Sequence, residues 1–313
     1  MFNNDFLRLM REQLAYTRKQ ISIAQNVVPS YIQKMRNDYA QLHKQIISPL
    51  TKELRNTFQK IAQGIKETEE DVKVYKTVMM KFGYPPCGTI DTPSLRSIAQ
   101  HYNSYSGNKE NFQEFIDEFM IDYYDAPTLQ ELSLMWEENN LITKRMPLLR
   151  NAIKAHNLRM FELVVPSVIP QLEGIIIDAF GIDKKVNERI LKILLRHLLL
   201  ENNKSKSEYN FDPSIYTYYK NRVLVPFEHG AGVKSDISRH AILHGGDTDF
   251  GKETISLKVI LLFNYILESI PELKEEVKLA ARQEVRRYRN SLNNNHSKNK
   301  NNRNKNNIRK RTS

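Results

Sequence analysis

Apolar residues recur every three to four positions along most of this chain, the period of a helix that buries one face. From about 5 to 46 the pattern predicts one long polar helix, interrupted near Pro29, and from about 50 to 81 a second. Both carry dense mixed charge between their apolar positions, which predicts an antiparallel helical hairpin or coiled coil. The first strong break is "KFGYPPCGTIDTPSL" (81–95), where Thr92-Pro93 reads as a helix start. Shorter helices are expected at 93–103, 109–124 and 128–139, the last opening on Pro127 in "DAPTLQEL". No run reads convincingly as a strand; "NRVLVPF" (221–227) comes nearest and is cut by Pro226.

A new unit is expected from about 143. Its helices are "KRMPLLRNAIKAHNLRM", the apolar stretch 161–181 ending at Gly181, and "KKVNERILKILLRHLLLENN" (184–203), whose broad apolar face includes Leu194, Leu195, Leu198 and Leu199. A polar, tyrosine-rich connection (204–220), a helix ending in "SRHAILHGG", and "KETISLKVILLFNYILESI" (252–270) complete it. The fold class is therefore all-α. A long helical hairpin spans 1–84, a short-helix connecting region 85–142, a helical bundle with one core 143–271, and a basic Asn/Lys-rich tail, read as disordered, 272–313. No internal repeat is found.

Composition narrows the setting. The window 161–182 is about as long as a membrane span. It also holds Glu162, Glu173, Asp178, Pro166 and Pro170, and carboxylates at those depths are costly in lipid, so it reads as the buried helix of a soluble protein with no membrane partner. The N-terminus carries charge within its first turns and lacks the apolar run of a secretory signal. Cys87, the single cysteine, excludes an internal disulfide and a cysteine-based zinc knuckle, and fits a reducing, cytoplasmic location. The formal charge of +11 favours polyanion partners. Much of the excess lies in 282–313, either a solvated low-complexity tail or an electrostatic arm for RNA or DNA, and the two are compatible.

The densest chemistry is in "SRHAILHGGD" (238–247). On one helix His240 and His244 share a face, about 40° apart, with Asp236 one turn earlier. That stripe can bind a metal through two imidazoles and a carboxylate, although Ala241 stands where the helical zinc peptidase motif has its Glu. Arg239 and His244 lie about 140° apart and roughly 7.5 Å along the axis. At a helix end facing a groove, such a guanidinium can grip a phosphate while the imidazole moves a proton. Gly245-Gly246 predicts a helix stop that leaves His244 in the last turn, where the negative end of the helix favours the imidazolium. Spacing alone is not diagnostic: "RSIAQH", "RNAIKAH" and "RNSLNNNH" bring similar arginines to His101, His156 and His296.

Context separates them. "SRHAILHGGDTDFGKETISLKVILLFNYI" closely resembles the signature of HEPN-domain proteins, small helical bundles whose catalytic members carry Arg, a polar residue, three residues and His. "LLRNAIKAHNLRMFELVVPSVIPQLEGIIIDAFG" looks like the first two helices of one HEPN-like group. The likeness covers about 145–270, well under half the chain. The resemblance implies a homodimeric, metal-independent endoribonuclease without cofactors, of the kind found in toxin–antitoxin, abortive-infection and antiviral defence systems, with RNA as substrate and an antitoxin or defence-system protein as a further partner. Carried over, Arg239 would contact the scissile phosphate, His244 would be the acid/base, and His240 would support the site. Glu173 is a fourth participant or a carboxylate at a wet bundle edge, and Asp236 is a further supporting residue. The family's modification-target tyrosine, two residues past the His, is here Gly246, which argues against that form of control. Two rival readings stay open: a non-catalytic binding module, and a metal-dependent hydrolase on Asp236, His240 and His244.

Overall fold

The computed structural model describes residues 52–107 and 109–309, with Lys34 and Asn37 as isolated helical positions. The first arm of the expected hairpin, and its pairing with the second, otherwise lie outside the described residues. Among the described residues there are eleven α-helices and no strand. They are α1 (Lys52–Lys81), α2 (Thr92–Ser104), α3 (Lys109–Tyr123), α4 (Ala126–Glu137), α5 (Met146–Asn157), α6 (Phe161–Phe180), α7 (Glu188–Arg196), α8 (Asp212–Tyr218), α9 (Arg239–Leu243), α10 (Glu253–Ser269) and α11 (Glu275–Arg309). The chain is all-α.

Local chemistry sets the boundaries. Asp91 caps α2 by accepting from Ser94 N at 2.8 Å, and Asp125 caps α4 from Thr128 N at 2.9 Å, each followed by proline in the first turn. A side-chain oxygen there satisfies an amide that has no partner within the helix. α6 ends on Gly181 at φ +58°, the left-handed conformation that glycine adopts without a Cβ penalty.

α6 is the axis of the fold. It packs against α5, α7, α9, α10 and α11, most extensively against α10. Among the described residues it is the one helix long and apolar enough to cross a membrane, and half of that stretch is buried inside the molecule. A continuous buried cluster runs from Val72 on α1 to Val285 on α11, drawing side chains from both sides of the boundary placed at 142/143. Trp136 on α4 is tied into it by its indole N–H, which donates to Asn264 Oδ1 on α10 at 2.8 Å.

Three segments differ from the sequence reading. The connection expected over 204–220 is helical from Asp212 and continues past α8 in a wider π-type turn (Tyr219–Val223), with Tyr218 and Tyr219 fully buried. The helix expected over 184–203 starts only at Glu188, after Asn187 caps it, and widens into a second π-type turn at His197–Glu201. The tail read as disordered from 272 is helical from Glu275, and Val277, Ala281 and Val285 are buried. Those three residues, spaced by four, form a narrow apolar stripe on an otherwise basic helix, and burying one stripe suffices to dock it.

Candidate functional site

The site is built where α9 rides on α6. Ser238 starts α9, its hydroxyl accepting from Ala241 N at 3.4 Å and donating to Val225 O at 3.3 Å. The helix lasts five residues. It ends through Gly246 N donating to Ala241 O at 2.7 Å, with Gly245 at φ +71°. The predicted stop is therefore where the glycines put it, and His244 is the C-cap, exposed to solvent. Gly246 has a separate steric reason to be glycine: a Cβ there would lie 1.8 Å from Phe227 Cζ.

Arg239, half-buried, points at α6, with Nε 2.8 Å from Glu173 Oε1. The pair is an ion pair without the alignment of a hydrogen bond. Burial pushes the Glu173 carboxyl above its ordinary pKa, Arg239 pulls it back, and Glu188 pushes it up again. His240 Nε2 lies 3.5 Å from Glu188 Oε2 at the start of α7. Glu188 is held below the usual carboxylate range chiefly by its hydrogen bond with Lys192, against the opposing effect of burial, with His240 contributing less. The His240 and His244 rings stack, 6.0 Å apart and 3° from parallel, as side chains four residues apart on a helix should.

The structure thus brings Arg239, Glu173, His240 and His244 to one junction. Asp236 is not part of it. α9 begins after Asp236, so the expected turn that would align it with the histidines does not exist. Its carboxylate instead takes Lys258 Nζ at 2.7 Å and lies 3.8 Å from Arg222 Nη1. The Lys258 side chain is 7% exposed, so this pair ties the approach to α9 onto α10 from within. Among the described residues no group of three or more His, Cys, Asp or Glu is placed to hold a metal ion.

The competing arginine–histidine spacings separate as well. His156 is buried, its Nδ1 2.7 Å from Ser256 Oγ, and burial lowers its pKa to about 4, so it is a neutral core histidine. His101 stacks on Phe115 with ring centres 4.4 Å apart. The His296 side chain lies outside the described residues.

One site residue escaped the sequence reading. Tyr219, in the π-type turn, is fully buried and its hydroxyl has no hydrogen-bond partner among the described residues. Burial pushes its pKa up, the Glu173 charge adds to this, and Arg239 opposes it, so the three groups sense one another. Of the five buried side-chain polar atoms that lack a hydrogen-bond partner among the described residues, those of Tyr219, Asp236, Arg239 and His240 lie on this junction or its approach. In "YTYYK" nothing distinguishes Tyr219 from its neighbours; it opens a π-type turn, and such turns often mark functional sites.

Fold and site together define an all-α protein with a polar Arg–Glu–His–Tyr junction on one side of an apolar helical core. Compared with known proteins, the chain matches no family model, no curated protein and no solved structure.

Proposed function

We propose that the chain is a HEPN-type, metal-independent endoribonuclease acting as a homodimer in the cytoplasm, in a toxin, abortive-infection or antiviral role. The observation that carries the reading is the α9–α6 junction, where one five-residue helix presents a guanidinium against a half-buried carboxylate and ends on a solvent-open imidazole. In the proposed reaction the RNA 2′-oxygen forms a bond to the adjacent phosphorus, and the bond from phosphorus to the 5′-oxygen breaks. The 2′-hydroxyl gives its proton to a base, and the leaving 5′-oxygen takes one from an acid, leaving a 2′,3′-cyclic phosphate and a 5′-hydroxyl. His244, with the equivalent histidine of a second copy, serves the two proton transfers, and Arg239 stabilises the charge building on the phosphate oxygens. Glu173 holds the guanidinium in place until phosphate competes for it.

The test is incubation with total RNA in EDTA and mapping of the ends produced by the wild type, Arg239→Ala and His244→Ala. Cleavage to cyclic phosphates by the wild type alone is expected, with the dimer intact in both variants. Full activity in either variant sinks the assignment. A non-catalytic binding module on the same helices is the second reading, favoured by the fact that Glu173 already engages Arg239. It requires RNA binding by the wild type with no cleavage at any enzyme concentration.

A further inference from the structure

We infer that α11 is the arm that holds the RNA next to the candidate site, gripping its phosphates; the substrate class rests on the ribonuclease reading. The first turns of α11 are fixed to the core. Val277, Ala281 and Val285 are buried, and Arg282 Nε donates to Phe180 O at 2.6 Å. Arg289 Nη2 donates to Asp183 O at 2.8 Å and Lys185 O at 3.0 Å. Glu284 accepts from Arg196 Nη2 at 2.6 Å and lies 3.0 Å from His197 Nε2. Arg282 and Arg289 are thus used on backbone carbonyls at and just beyond the end of α6, and Glu284 is already paired.

Arg286 and Arg287 are not used in this way. Both are exposed, and among the described residues neither has an anionic partner. Their place matters. Tyr288 Oη accepts from Asn187 Nδ2 at 3.3 Å, and the next residue, Glu188, is the one that faces His240 at 3.5 Å. The docked part of the basic helix thus meets, through Tyr288, the residue that precedes Glu188, while Arg289 anchors it at Asp183 and Lys185. Beyond it the helix runs on to Arg309.

The sequence of this extension selects the partner. After Glu284 there is no further carboxylate, and seven Lys or Arg residues fall between 298 and 311 among asparagines. A helix that lies in a lipid surface needs a broad apolar face. From 293 to 313 the one apolar residue is Ile308, so the segment has nothing to insert. Cations separated by amide side chains suit phosphates along a nucleic acid strand.

The experiment uses the full-length chain with Arg286, Arg287 and the seven later cations changed to glutamine. Binding of a fluorescently labelled single-stranded RNA is titrated across a potassium chloride series in the His244→Ala background, and cleavage kinetics are measured in the otherwise wild-type chain. Each lost phosphate contact should flatten the log–log salt dependence by about 0.7, so Arg286→Gln with Arg287→Gln alone should remove about 1.4. KM should rise while kcat and the thermal midpoint hold, because none of these residues lies in the Arg239–His244 junction. An unchanged salt slope and Kd overturn the inference, as does tight binding of phosphatidylserine vesicles by a wild type that ignores RNA. RNA bound through the arm yet never cut keeps the arm and removes the nuclease. RNA cut by the neutralised chain at the wild-type KM removes the arm and keeps the nuclease.

Discussion

Replacing Gly246 with alanine places a methyl carbon 1.8, 2.3 and 2.6 Å from three atoms of the Phe227 ring. Ordinary contact begins near 3.4 Å, so the ring must retreat by about 1.6 Å or the turn after α9 must open. Both movements cost free energy. The turn is held by Gly246 N donating to Ala241 O at 2.7 Å, and the ring packs edge-on against His229 at 5.0 Å. Forcing extra volume into a filled site typically costs about 1–3 kcal/mol. Phe227 is half-buried and can yield in part, so about 2 kcal/mol is expected here. Urea unfolding at constant m-value measures the loss, and a double-mutant cycle assigns it. In a Phe227→Ala background the methyl meets no ring, and the alanine at 246 should then cost about 0.5 kcal/mol or less. A cost that persists undiminished in that background refutes the steric argument. Because His244 is two residues away, the single variant should also lose the proposed RNA cleavage and regain part of it with Phe227→Ala.

Gly245, at φ +71°, should respond differently: Gly245→Ala is expected to cost about 1–2 kcal/mol from backbone strain, with no relief from Phe227→Ala and partial recovery by Gly245→Asn. Tyr219→Phe removes a buried hydroxyl that has no partner, so it should raise stability by about 1 kcal/mol. If the hydroxyl serves the junction, the same variant lowers kcat, and loss of stability on that change would show that the hydroxyl is in fact bonded. Asp212, buried and accepting from Tyr265 Oη at 2.9 Å, has its pKa raised from 3.8 to about 6, chiefly by burial. Its favourable contribution is present below pH 3.8 and is lost as pH rises through about 6, by about 3 kcal/mol in all. Asp212→Asn should therefore be more stable than wild type at pH 8 and little different at pH 4, and urea midpoints showing the same gap at both values would contradict this.

The helix boundaries were legible where one residue type decides them. Pro93 and Pro127 mark starts that Asp91 and Asp125 cap, and Gly181 and Gly245 stop helices by a backbone conformation few other residues accept. The stacking of His240 on His244 likewise follows from spacing alone. What the pattern hid was set by contacts distant in the chain. Asp236 was expected on the α9 face, but Ser238 starts the helix two residues later and Lys258 draws the carboxylate elsewhere. The tyrosines at 218 and 219 read as polar, yet both rings are fully buried in the core, Tyr218 at the end of α8 and Tyr219 at the start of the π-type turn. α11 resembled a tail because its apolar stripe is diluted by arginines, two of which bond to carbonyls that only the folded chain presents. The Glu173–Arg239 pair joins residues on helices α6 and α9, and no local rule links them.

Trp136 is the one tryptophan in the chain, almost wholly buried, 5.0 Å from the Phe263 ring and bonded to Asn264. Its emission is therefore a report on the seam between α4 and α10 and carries no direct signal from α9. A transient release of α9 from α6 would leave the fluorescence unchanged while exposing the amides of Ala241 to Gly246 to exchange with deuterium. The gap between the two readings would measure how much more readily the arginine–histidine helix opens than the protein as a whole.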